Sequence, residues 1–209
     1  MNRKPVELMT KGSKPAGRTK KIFIILLAIC SFSVNAQKIS FQLVTGLGMA
    51  TSFGELRAYG ISAAVEPKVF IGDHIAAGLR VEGNVLIGGN ILADDASEIS
   101  VGMSLKAAQT IKGEYYFTSM KVRPYAGVGV GRYTMASIGA TGAGDASISE
   151  SSGIGFAPEA GIALGNFRLS AIYNIVPGKD LVNITVGDVK EVSKNYLVLQ
   201  MSWKIFGIR

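Results

Sequence analysis

The sequence predicts an all-β fold, an eight-stranded antiparallel up-and-down transmembrane β-barrel, and three observations carry that expectation. Apolar and polar residues alternate with period two in eight long runs after residue 36. The connections between runs are alternately short and long, the rhythm of a barrel with tight turns at one end and longer loops at the other. The mature part also carries no apolar segment long enough to cross a bilayer as a helix, which takes about 20 residues.

Read in order, the first 36 residues form a unit of their own. Arg3, Lys4, Lys11, Lys14, Arg18, Lys20 and Lys21 precede the apolar run Ile22 to Phe32 and then Ser33-Val-Asn-Ala36-Gln37. A basic segment, an apolar core of about eleven residues and a small residue at the cut describe a secretory signal peptide at 1–36, cleaved after Ala36, with a mature domain at 37–209. Met9 is a second candidate start. The only cysteine, Cys30, lies in the leader, and Ile29 stands where a lipoprotein box needs a small residue, so cleavage at Ala36 is the expectation rather than lipidation.

The leader distorts the bulk charge. Removing its seven basic residues from 22, and Glu7 from 15 acids, leaves 15 against 14, so the net charge falls from +7 to +1. A near-neutral mature chain gives no support to nucleic-acid binding. Without a thiol it has neither disulfides nor a cysteine nucleophile.

The predicted strands are 39–50, 57–71, 75–88, 101–117, 122–138, 152–165, 167–177 and 189–206. They far exceed the usual five or six residues and suit a tilted bilayer crossing of about 9–11. Gly72 to His74, Thr118 to Lys121, and Gly165-Asn166 read as tight turns. Gly88 to Ser100, Gly139 to Ser151 and Pro177 to Asp188 read as long loops, while Thr51 to Leu56 is short.

Each strand has one apolar face and one mixed face. In the third, Leu79, Val81 and Val85 oppose Arg80, Glu82 and Asn84; in the last, Leu197, Leu199, Met201 and Trp203 oppose Tyr196, Gln200, Ser202 and Lys204. Alternation alone leaves open which face points inward, because a soluble barrel shows the same period with its apolar side buried. Export, an even strand number, strand length, loop asymmetry and aromatics near strand ends (Phe41, Tyr59, Tyr115, Phe117, Tyr133, Phe167, Tyr173, Trp203) favour the apolar face outside. A secreted soluble β-barrel binding protein is the distant alternative.

The stretch Arg123-Pro-Tyr-Ala-Gly-Val-Gly-Val-Gly131 tests the point. A dinucleotide fingerprint needs a third glycine at position 132, which is Arg132, so nucleotide binding is not expected. As a strand, it turns Gly127, Gly129 and Gly131 inward, leaving room for long charged side chains, and Val128 and Val130 to lipid. Three residues resist: Pro158 predicts a bulge, outward Gln109 predicts a register shift in the fourth strand, and outward Arg132 reaches toward outer headgroups.

The expected lumen network is Glu66, Lys68, Arg80, Glu82, Lys106, Lys112, Glu114, Arg123, Glu159, Arg168 and Lys204. Lipid-facing positions are Leu79, Val81, Val128, Val130, Leu197, Leu199, Met201 and Trp203. Leu181 to Val186, Gly187-Asp188 and Val189 to Val192 read as a hairpin within 177–194 that continues strands seven and eight outward and offers its backbone to a partner protein.

The glycine-alternating strand, the turn Ala163-Leu-Gly-Asn-Phe-Arg-Leu169 and the terminal Tyr196 to Phe206 resemble the small outer-membrane β-barrels of the OmpX and OmpA barrel-domain type. That resemblance implies a monomeric barrel in the outer membrane of a Gram-negative bacterium, touching lipid and lipopolysaccharide. In this family the chain typically ends on an aromatic that assists assembly; here Phe206 is followed by Gly207-Ile208-Arg209.

Enzymatic chemistry is not expected. Some barrels of this kind resemble lipid A deacylases or acyltransferases, which need a histidine and a serine near the outer leaflet. The only histidine, His74, lies in a tight turn at the opposite end. Asp94, Asp95 and Glu98 fit no calcium-loop spacing, and no cofactor is implied. Two functional classes remain: a structural or surface-interaction barrel, and a narrow channel for ions or small solutes.

Overall fold

The computed structural model describes residues 39–53, 57–89, 101–140, 146–185 and 188–208. The leader, with Cys30, and the acidic group Asp94, Asp95 and Glu98 lie outside the described residues. Eight strands close a barrel: β1 (Ile39–Ser52), β2 (Ala58–Ile71), β3 (Ile75–Gly89), β4 (Val101–Tyr116), β5 (Val122–Ala140), β6 (Ala146–Leu164), β7 (Phe167–Asn174) and β10 (Tyr196–Ile208). Between the last two, β8 (Lys179–Thr185) and β9 (Asp188–Ser193) form a separate two-stranded ribbon. Every pairing is antiparallel and every neighbour in the ring is a neighbour in sequence, save for the ribbon's insertion and the closing pair β1 and β10. No described helix is long and apolar enough to cross a membrane, a statement that concerns helices alone.

Period two sets two faces. On β2, Ser62, Ala64, Glu66, Lys68 and Phe70 are buried, while Tyr59, Ile61 and Val65 are exposed. On β5, Tyr125, Gly129, Tyr133 and Met135 are buried, whereas Val128 and Val130 are 56% and 44% exposed. The polar and aromatic face therefore points into the barrel, and the apolar face points out. Leu79, Val81, Leu199, Met201 and Trp203 are exposed on the outside, and Leu197 is half-buried there.

The glycine row in β5 explains how the wall accommodates this interior. Gly131 lies opposite Thr110, and a Cβ there would fall 1.9 Å from the Gln109 carbonyl oxygen, so no larger residue fits without moving β4.

Several expectations change. Gln109 is exposed as expected, but β4 runs without a register shift against both β3 and β5, so the chain simply places a polar residue outside, directly opposite Arg132. Pro158 makes no bulge. The pairs Glu159↔Ile172 and Phe156↔Ile175 keep one register, and Phe156 and Ile175 exchange both backbone bonds. Two residues on, Pro158 has no N–H to give β7, so the ladder lapses there and resumes. Pro67 leaves a similar gap between Val65↔Val81 and Lys68↔Gly78. Among the described residues the barrel wall bulges elsewhere: Leu43 pairs with Phe206 and Val44 with Lys204, leaving Ile205 extra.

Tyr133 shares the parity of the glycines and is 1% exposed, so it belongs to the interior rather than to an interfacial aromatic girdle. The segment Gly139 to Ser151 is largely not a loop, because β5 and β6 pair out to Ala140↔Ala146. The strand expected at 189–206 divides at Lys194-Asn195, and β7 ends at Asn174 apart from the bridge at Ile175. The ribbon closes at Thr185↔Asp188, so Asp188 is a strand residue and not part of the turn.

Candidate functional site

The interior is built in three layers. Nearest the tight turns, Phe70 (β2), Tyr116 (β4) and Tyr125 (β5) stack with centroids 5.2 and 5.1 Å apart. Aromatic groups at such spacing fill space that aliphatic side chains from a narrow wall cannot reach. Arg123 lies over this layer, its guanidinium 4.5 Å from the Tyr116 ring centre, and donates from Nε to the Thr118 carbonyl at 3.2 Å and from Nη2 to the Asp73 carbonyl.

The middle layer is ionic. Glu66 and Lys68 come from β2, Arg80 and Glu82 from β3, Lys112 and Glu114 from β4, Glu159 from β6 and Arg168 from β7, all on the inward parity of their strands. Lys112 Nζ lies 3.1 Å from Glu66 and 2.8 Å from Glu114, and also contacts Glu159. Arg168 spans Glu66 at 3.3 Å, Glu114 at 2.8 Å and Glu159 at 3.1 Å. Lys68 joins Glu114 at 2.9 Å and Glu66; Arg80 joins Glu82 and lies 3.6 Å from Glu66. Four carboxylates thus meet four cations, and the cluster is electrically balanced. Buried ions persist only when paired and hydrogen-bonded, and here each carboxylate has more than one partner.

Uncharged donors complete the coordination. Tyr116 Oη donates to Glu114 at 2.9 Å, Tyr125 Oη to Glu159 at 2.6 Å and Tyr196 Oη to Glu82 at 3.2 Å. Asn84 Nδ2 donates to Glu82 at 2.8 Å, and Arg80 donates to Gln200 Oε1. The phenols of Tyr116 and Tyr125 were not among the expected network, although their parity matches that of Glu114 and Gly127 and was enough to find them.

Toward the loop end the third layer is apolar, with Leu86, Tyr133, Met135, Ile172, Val176, Tyr196 and Val198 buried together. Lys106 is buried here, its Nζ 4.8 Å from the Tyr196 ring centre and donating to the Lys194 carbonyl at 3.3 Å. Tyr133 donates to Asn174 at 3.0 Å. Ser62 Oγ, Asn84 Oδ1, Arg168 Nε and Asn174 Nδ2 have no protein partner among the described residues.

Of the eleven expected lumen residues, the structure gathers eight in the ion cluster and puts Lys106 in the layer above. Arg123 and Lys204 stand apart. Arg123 caps the turn end through backbone carbonyls, and Lys204 is half-buried beside the Ile205 bulge, with no ion pair among the described residues. Both carry the right parity but sit too near the strand ends to reach the middle layer. His74 donates from Nδ1 to the Tyr116 carbonyl at 2.7 Å, latching its turn to β4.

The outer wall is apolar around most of its circumference. Where Ala160 faces Ala171 it dips into a groove of about 640 Å³, flanked by Leu47, Met49, Leu199 and Trp203.

No family model matches the chain, and no curated protein does either. Among solved structures, the chain is similar to Ail, the attachment invasion locus protein of Yersinia pestis, in complex with the heparin analogue sucrose octasulfate, at 10% identity and a TM-score of 0.48, covering 80% of this chain and 99% of that one. It is similar to Neisserial surface protein A at 18% identity and a TM-score of 0.46, covering 81% and 98%. It is also similar to the N-terminal β-barrel domain of Pseudomonas aeruginosa OprF, at 14% identity and a TM-score of 0.36, covering 83% and 100%. The assignment of this chain as a closed eight-stranded antiparallel barrel rests on its own strand pairing.

Proposed function

We propose that residues 37–209 form a small outer-membrane barrel with a structural or surface-interaction role, exported by a cleaved leader at 1–36. The observation that carries this reading is the inversion of the usual arrangement: ions and phenols inside, exposed Leu, Ile, Val and Met outside. A soluble barrel would leave that outside in water, where contiguous apolar surface drives association. In hydrocarbon the same surface is at home, and a closed ring leaves no unpaired edge.

The lumen favours a plug over a channel. Its three layers fill the cross-section, and a balanced cluster gives no ion an uncompensated charge to follow. The β8–β9 ribbon supports the interaction role: among the described residues it pairs with no barrel strand, so each of its strands offers one backbone edge for strand addition.

The mature chain refolded into phospholipid vesicles should migrate differently on gels before and after boiling, and should give no discrete conductance steps in planar bilayers. Monodisperse behaviour in plain buffer sinks the membrane reading. Regular conductance steps replace the plug with the channel.

A further inference from the structure

The outer wall carries a cation with no partner among the described residues. Along β5 the outward residues are Val122, Pro124, Ala126, Val128 and Val130, and the next is Arg132, which is exposed. It pairs in register with Gln109 on one side and with Ile154, 70% exposed, on the other. Neither Arg132 nor Gln109 has a side-chain hydrogen bond or ion pair among the described residues. The outward acid on the neighbouring strand is Glu150, opposite Ala136 and four positions beyond Ile154, about 13 Å away at ~3.3 Å per residue.

Height decides what a guanidinium can meet there. From Val122 to Arg132 the strand climbs about 25 Å at ~3.3 Å per residue and a tilt of ~40°, which is the full height of the apolar band of such a barrel. Arg132 thus stands where hydrocarbon gives way to headgroups on the loop side, and on β6 the outward residues change from Ile154 to Ser152 and Glu150 at the same level. A bare cation at a hydrocarbon edge is unfavourable, and a guanidinium fork matches two phosphate oxygens.

We propose that Arg132 and Gln109 form an exterior docking point for the phosphoryl group of a lipid in the outer leaflet. The guanidinium grips two phosphate oxygens and the Gln109 amide donates to a third. This rests on the membrane reading above.

The test uses the mature chain refolded into phosphatidylcholine vesicles containing phosphatidic acid, with retained lipid counted by native mass spectrometry. Arg132→Gln should lower phosphatidic acid retention about tenfold, as expected for loss of a charge-assisted bond, with a smaller loss for Gln109→Ala and partial recovery for Arg132→Lys. The boiled-gel shift of all three variants should stay as in the parent. Equal retention by the parent and Arg132→Gln overturns this inference alone. Displacement of the lipid by excess inorganic phosphate also overturns it, because the site then takes free phosphate. A chain that never enters the vesicles overturns the membrane reading and this inference together.

Discussion

Lys112 touches three carboxylates, Glu66, Glu114 and Glu159, contributed by three different strands. Removing one member of a buried ion cluster leaves its partners charged and desolvated, at a cost of about 3–5 kcal/mol. Lys112→Met should therefore lower the barrel's stability by about that much in urea unfolding from vesicles. Adding Glu159→Gln should recover part of the loss, because one stranded carboxylate disappears. Additive losses in the double variant count against the coupled cluster. Parity along each strand made the inward charges legible in the sequence, Glu66 and Lys68 as much as Arg80 and Glu82. It left the partners illegible, since Lys112 on β4 meets Glu159 on β6 over the glycines of β5, Lys112 lying opposite Gly129 and Glu159 opposite Gly127, and that contact depends on the register of three strands rather than on spacing within one. Arg123 shows the same limit, because its parity agrees with Arg168 while its depth does not.

At the scale of elements, strand existence was readable and strand extent was not. Gly139 to Ser151 is rich in Gly, Ala and Ser, a composition that reads as loop, yet β5 and β6 extend to 19 residues each because they have one another as partners. Strand propensity records fit to a neighbour more than an intrinsic preference. The ribbon β8–β9 was legible as a hairpin but not as an independent one. Gly178, with φ of 101°, and Asn195, whose Oδ1 accepts from the Val176 N–H at 3.0 Å, set its base apart from the wall. The ladder from Trp203↔Phe167 to Tyr196↔Asn174 is complete without it. Deleting Leu181 to Val192 should leave both the boiled-gel shift and the urea midpoint of the barrel unchanged. A lost gel shift makes the ribbon part of the barrel's cooperative unit.

At the scale of the whole molecule, the apolar outside and filled inside follow from eight strands obeying one period, and this was the most legible level. The seam was less so. The first strand pairs with the last, from Phe41↔Ile208 to Ser52↔Tyr196, and the bulge at Ile205 sits within that pair. Truncating the chain after Lys194 should abolish the boiled-gel shift altogether rather than yield a seven-stranded barrel. A truncated chain that still resists unfolding at room temperature counts against obligatory closure.

That seam has a consequence in time. The two strands that close the ring are the first and the last of the eight along the described chain, so the ring's hydrogen bonding stays incomplete until the last of them is in place. Until then every partial sheet keeps two open edges, the species most prone to aggregate, and contacts so distant in sequence form slowly. The thirteen residues of β10, Tyr196–Ile208, act as a clasp. Whatever shields those open edges is no longer needed from the moment β10 finds β1.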